Sequence, residues 1–154
     1  MVAGKKRLKI LAASSGGGHW EQLMGMRDAF EGCEVVFATT IPGLLKKYAI
    51  TDGITLPDCS RDSILLSIKC LFSCFYIVLK NRPDVILSTG AAPGLLCICA
   101  GRLMGKRTIW IDSVANVEKL SLSGKIAQYF STLWLTQWEH LGAANGPFYK
   151  GSVL

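Results

Sequence analysis

The sequence predicts an α/β fold, a Rossmann-like parallel sheet with helices on both faces. Two observations carry this. Short apolar or β-branched runs of strand length alternate with helix-length segments along the whole chain. Three of those runs lead directly into loops rich in Ser, Gly, Thr or Asp, the arrangement that places ligands beyond the carboxyl edge of such a sheet. Half of the 154 residues are apolar and 18% are charged, which is the balance of a folded chain rather than a disordered one. The length fits a single domain, residues 1–154.

Leu8 to Ala13 is an apolar run that ends in Ser14-Ser15-Gly16-Gly17-Gly18-His19. Trp20 to Phe30 then carries helical periodicity, so strand, glycine turn and helix open a βαβ unit. Glu34 to Thr39 is β-branched and aromatic and predicts a second strand. Pro42 to Tyr48 predicts a short helix with proline near its start, and Ile54 to Leu56 a minor strand. Ser63 to Lys80 is the most apolar helix. Asp84 to Ser88 predicts a buried strand running into Thr89-Gly90-Ala91. Leu95 to Leu103 follows as a helix with Gly105 past its end. Arg107 to Ile111 predicts another strand, Gly124 to Phe130 a helix, and Thr132 to Gln137 the last strand.

The formal net charge of +6 on an oily chain suggests an anionic membrane surface or a phosphate-bearing ligand. Nucleic acid is disfavoured, because the basic residues are scattered and no binding motif accompanies them. The cysteines (Cys33, Cys59, Cys70, Cys74, Cys97, Cys99) contain no C-x-x-C pair, and both histidines are distant in sequence. Metal spacing therefore fails, and buried reduced thiols are expected. The Lys-Arg cluster at the N-terminus precedes an apolar run too short for a signal peptide.

The Ser63 to Lys80 helix is apolar on nearly all sides, with Asp62, Lys69, Ser73 and Lys80 on one narrow polar stripe. It is shorter than the ~20 apolar residues needed to span a bilayer. A core helix is the favoured expectation, and an outer face dipping into a membrane interface the other. Trp134 and Trp138 are expected to pack rather than to stack on a sugar, which would need an exposed indole.

The candidate site gathers the three strand-exit loops. Gly16, Gly17 and Gly18, with Ser15 before them, offer backbone N–H groups at a helix N-terminus, which suit an anion such as pyrophosphate. The pattern is neither G-x-G-x-x-G nor a P-loop, and Thr39-Thr40 stand where a ribose-binding acid would end the second strand. A plain tight turn is the alternative. His19 at the mouth of that turn is the candidate general base, with simple helix capping as its alternative. Thr89, Gly90 and Ala91 would line the cleft from the next loop, and Asp112, Ser113 and Asn116 from the third. No metal or other cofactor is expected.

Taken in order, these motifs resemble the acceptor-side subunit of the two-subunit UDP-N-acetylglucosamine transferase of asparagine-linked glycosylation, and look closest to its bacterial capsule and exopolysaccharide (PssD-type) relatives. The resemblance rests on Ser14 to His19, Arg82 to Ile86, Ser88 to Ala91, Val117 to Lys125 and Gln137-Trp138. It implies the N-terminal half of a GT-B glycosyltransferase, as in MurG. It further implies a diphosphate-linked acceptor on Gly16 to Gly18, His19 as base, and a separate donor-binding subunit. Relatives tend to carry Glu-Ser and then Arg where this chain has Asp112-Ser113 and Asn116.

The expected function is therefore a subunit that helps transfer a sugar, from a UDP-sugar, to a polyprenyl-diphosphate-linked acceptor at the cytoplasmic face of the membrane. Attachment would be peripheral. A non-catalytic scaffold that recruits the donor subunit is the alternative, and a nucleotide-binding protein unrelated to sugars a third.

Overall fold

A computed structural model describes residues 6–59 and 64–153. Seven parallel strands form one sheet in the order β3-β2-β1-β4-β5-β6-β7. They are β1 (Lys9–Ser14), β2 (Glu34–Thr39), β3 (Ile54–Thr55), β4 (Val85–Ser88), β5 (Arg107–Ile111), β6 (Leu133–Thr136) and β7 (Phe148–Tyr149). The helices are α1 (Gly18–Gly25), α2 (Pro42–Lys47), α3 (Ile64–Asn81), α4 (Ala91–Leu103) and α5 (Leu122–Ala127).

Alternation along the strands divides the core in two. Leu11, Ala13, Val36, Ala38, Ile86 and Trp110 face one layer, which contains α3, α4 and Ala127 of α5. Ile10, Ala12, Phe37 and Leu87 face the other, under Trp20 and Leu23 of α1 and Phe30. A sheet covered on both sides is the expected α/β arrangement.

Strand order reverses around β1, with β2 on one side and β4 on the other. Ala13 pairs with Ser88 and Ser88 with Trp110, so the chains leaving β1, β4 and β5 emerge side by side at the carboxyl edge. That switch point is where a crevice opens in sheets of this kind.

Several boundaries differ from the sequence expectation. The helix expected over Trp20 to Phe30 stops at Gly25, and Arg27–Phe30 tightens into a 3-10 turn. Helix α4 begins at Ala91, four residues before the expected Leu95. Gly105, at φ 72°, does follow its end.

The core reading of the most apolar helix needs correction. Ser63 and Asp62 lie outside the described residues. Within α3, Cys70, Cys74, Ile77 and Val78 are buried, whereas Ile64, Leu65, Ile68, Phe72, Tyr76 and Leu79 are exposed, Phe72 by 70% and Tyr76 by 61%. One layer of helices suffices to cover the sheet, so among the described residues the inner side of α3, against α4, Leu56 and Cys59, finds packing partners and the outer side does not. By length and composition α3 could cross a membrane, yet its inner side is packed into the fold.

The cysteines are free. Cys59, Cys70, Cys74 and Cys97 join one buried cluster, with the Cys97 thiol 3.2 Å from the Cys74 sulfur. Burial pushes the Cys59 thiol up to about 12 and the Cys99 thiol up to about 11, so both stay protonated at neutral pH.

Candidate functional site

A cleft of about 330 Å³ opens at the switch point, lined by His19, Cys59, Ala91, Ala92, Asn116, Ser121 and Ser123. None of these lining side chains carries a carboxylate, an ammonium or a guanidinium.

Two helices begin at this cleft. Helix α1 has Gly17 as its N-cap and α4 has Gly90, and neither receives a side-chain cap hydrogen bond. The first-turn amides of a helix have no carbonyl of their own helix to donate to. Gly18 and His19 in α1, and Ala91 and Ala92 in α4, occupy those positions. Both helices therefore point the positive ends of their dipoles toward the same space. Ala91 holds φ 63°, a left-handed conformation that costs a residue with a Cβ about 1 kcal/mol or more.

The two loops are tied to each other. The Thr89 hydroxyl donates to the His19 carbonyl at 2.7 Å, and His19 Nδ1 lies 3.1 Å from the Thr89 carbonyl oxygen. Gly90 is required by this packing, because a Cβ there would stand 2.3 Å from His19 Nδ1.

The third loop is organised around Asp112, which is 1% exposed. Its Oδ1 accepts from Trp110 Nε1 at 3.2 Å and from the Ser121 hydroxyl at 2.6 Å. Its Oδ2 accepts from Asn116 Nδ2 at 3.1 Å and from the Ser121 amide at 3.0 Å. Ser121 in turn caps α5 by accepting from the Gly124 amide. Residue 124 must lack a side chain, since a Cβ would sit 2.3 Å from Asp112 Oδ1. The far side of this loop is stapled by side-chain donors. Gln137 Nε2 donates to the Asp112 carbonyl and Trp138 Nε1 to that of Val114, and His140 Nε2 meets the carbonyl of Val117 at 2.6 Å. Trp138 thus packs and hydrogen-bonds rather than presenting a free indole face.

Of the residues singled out in the sequence, His19, Ala91 and Asn116 line the cleft, and Gly17, Gly18 and Gly90 shape its helix ends. Thr89, Asp112 and Ser113 are buried and use their polar groups within the chain, Ser113 Oγ accepting from the Ala115 amide. The Gly16 amide is taken by Thr40 Oγ1, and Ser15 Oγ donates to the Gly16 carbonyl. Cys59, Ala92, Ser121 and Ser123 were not found by sequence reasoning. Ser121 and Ser123 stand in the Val117 to Lys125 stretch that carries the resemblance, and Ser121 had a further local signal as a serine just ahead of a helix.

A parallel sheet with its cleft at the switch point, entered by a glycine–His loop, defines a Rossmann-like domain of the GT-B kind. Solved structures bear this out at the level of fold. MurG of Acinetobacter baumannii superposes with a TM-score of 0.71 at 16% identity, over 90% of this chain and 44% of that one. The UDP-N-acetylglucosamine 2-epimerase of Rickettsia bellii gives 0.74 at 14% identity, over 96% and 46%.

The family model described as "Oligosaccharide biosynthesis protein Alg14 like" matches residues 54–152, and the chain belongs to that family. The matched span holds Thr89 to Ala91, the Asp112 loop and Gln137-Trp138, and leaves the glycine–His loop outside it. Among curated relatives, the mouse UDP-N-acetylglucosamine transferase subunit ALG14 is 34% identical over 87 residues, which is 51% of this chain and 39% of the relative. The same subunit of Schizosaccharomyces pombe is 33% identical over 102 residues, or 62% and 46%. The matches thus span less than half the length of these relatives.

Proposed function

We propose that this chain is the acceptor-side half of a sugar transferase. A sugar carried on a polyprenyl diphosphate binds at the His19 cleft, and a separate donor-binding chain brings the UDP-sugar, GlcNAc or a related hexose. The observation that carries this reading is the convergence of two uncapped helix N-termini and one imidazole on a cleft whose described lining residues include no carboxylate. First-turn amides favour the diphosphate. His19 takes the proton of the acceptor hydroxyl as its oxygen attacks the anomeric carbon and UDP departs. The names of the mouse and fission-yeast relatives support the donor class.

Combining the chain with a donor-binding glycosyltransferase subunit, UDP-GlcNAc and a lipid-diphosphate acceptor is expected to give transfer that neither chain gives alone. A donor-binding chain that transfers at full rate to a soluble acceptor by itself would reduce this one to a recruiting scaffold.

The same proposal places the outer face of α3 against the cytoplasmic leaflet, peripherally. Its exposed stripe of Ile68, Phe72, Tyr76 and Leu79 would sink to the acyl boundary, with Lys69 and Lys80 at the level of anionic headgroups. Replacing Phe72 and Tyr76 together by glutamate is expected to lower partitioning onto anionic vesicles by about tenfold or more, from the apolar area no longer buried. The melting temperature should stay unchanged, because both side chains are already exposed. Equal co-sedimentation of variant and parent would remove α3 from the membrane contact.

A further inference from the structure

We infer that the Thr89–Gly90 turn fixes the tautomer of His19, holding the neutral ring in its Nδ1–H form and leaving Nε2 as the basic nitrogen. The argument needs only donor and acceptor chemistry. The partner of Nδ1, at 3.1 Å, is the Thr89 carbonyl oxygen, which accepts and never donates. Nδ1 must therefore carry the proton in either charge state of the ring. A neutral ring has one proton, so Nε2 keeps its lone pair. This is the minority form of a free imidazole side chain in water, so the site has to impose it.

The imposition is geometric. The Thr89 hydroxyl holds the His19 carbonyl at 2.7 Å, which fixes one backbone against the other. Gly90, at φ 143°, leaves the space that the ring occupies, since a Cβ would stand 2.3 Å from Nδ1 and 2.5 Å from Cε1. Thr89 and Gly90 are positioning residues, acting on the cleft through the imidazole. The catalytic consequence, a base nitrogen already free of its proton, rests on the reading of His19 as the proton acceptor. The tautomer itself does not.

The chain supplies its own reference. His140, the other histidine, meets the Val117 carbonyl through Nε2 at 2.6 Å, so the same rule assigns it the opposite, Nε2–H form. A long-range ¹H–¹⁵N correlation spectrum of the chain labelled in histidine, taken at a pH where both rings are neutral, reads both at once. His140→Asn assigns the peaks. The expected result is one ring with its proton on Nδ1 and its Nε2 in the unprotonated nitrogen range, that ring being His19, and the reverse for His140. A His19 ring protonated on Nε2 would overturn the inference.

Gly90→Ala should push the ring off the carbonyl and turn the His19 signals into a mixture of tautomers. A folded Gly90→Ala protein with the parent's pure Nδ1–H pattern would overturn the role of Gly90. If that variant does not fold, the parent spectrum still decides the tautomer. The spectrum and the activity of His19→Ala are separate readouts. A Nδ1–H ring together with undiminished transfer by His19→Ala would remove the base reading and leave the tautomer standing.

Discussion

Replacing His19 with alanine is expected to lower kcat of the complex formed with a donor-binding subunit by about 10²–10⁴-fold, the usual contribution of a positioned general base. That is about 2.7–5.4 kcal/mol of transition-state stabilisation. KM for the lipid-linked acceptor should move far less, because the diphosphate is assigned to backbone amides that the substitution leaves in place. The fold should lose little, since the Thr89 hydroxyl bonds to the His19 carbonyl and the side chain contributes one half-buried hydrogen bond, worth about 1 kcal/mol. His19→Asn sharpens the test. Asparagine can donate to the Thr89 carbonyl from nearly the place of Nδ1 and has no basic nitrogen. It should therefore keep the melting temperature of the parent while losing turnover as far as alanine does. Turnover within twofold of the parent in both variants would take His19 out of the chemistry.

The sheet was legible because its signal is local. Glu34 to Thr39 and Arg107 to Ile111 coincide with β2 and β5, since a β-branched run bounded by charge and turn residues needs no tertiary information. The misses have definite causes. Pro93 argues against helix before Leu95, yet it stands in the first turn of α4, where its missing N–H was unpaired anyway. Strand β7 is Phe148–Tyr149 alone, and two residues carry no periodicity. The exposed side of α3 could not be read because a helix apolar all round gives no contrast between its faces.

Within the site, the convergence of three loops followed from topology, and it brought His19, Ala91 and Asn116 to one cleft. What topology cannot say is which way a side chain turns once it reaches the edge. Asp112 ends β5 at the place of a ligand and instead faces Trp110, Asn116 and Ser121 of its own chain. Cys59 reaches the cleft through space, from a segment with no motif to announce it, and Ser123 lies in the Val117 to Lys125 stretch that marked the family without marking a site.

Asp112→Asn, nearly isosteric, is expected to destabilise the fold by about 3 kcal/mol, from hydrogen bonds lost at a buried ionised acceptor. The arrangement around the carboxylate explains why so small a change should matter. Oδ1 accepts from Trp110 Nε1 and the Ser121 hydroxyl, and Oδ2 from Asn116 Nδ2 and the Ser121 amide. Four donors converge on two oxygens. An amide keeps one oxygen and puts an NH₂ group in place of the other. At Oδ2 that group faces two nitrogen donors, and at Oδ1 the Ser121 hydroxyl can turn to accept but Trp110 Nε1 faces a donor. Even in the better orientation a charge-assisted bond is lost and the indole N–H is set against a donor in a site 1% exposed. For a chain of this length the expected fall in melting temperature is about 6–12 °C. Ser121→Ala should cost less, about 1–2 kcal/mol, for a helix cap and one bond to the carboxylate. The double variant should fall short of the sum, because Ser121 supplies two of the four donors and the substitutions remove a shared interaction. Strict additivity, or a melting temperature of Asp112→Asn within a degree of the parent, would show that the network does not hold the loop. Asn116 and Ser121 both line the cleft, so a loosened Asp112 should also weaken acceptor binding at temperatures where the chain is still folded. That loss would appear in KM, opposite to the kcat effect expected at His19, and the two variants together separate the group that reacts from the group that holds the wall.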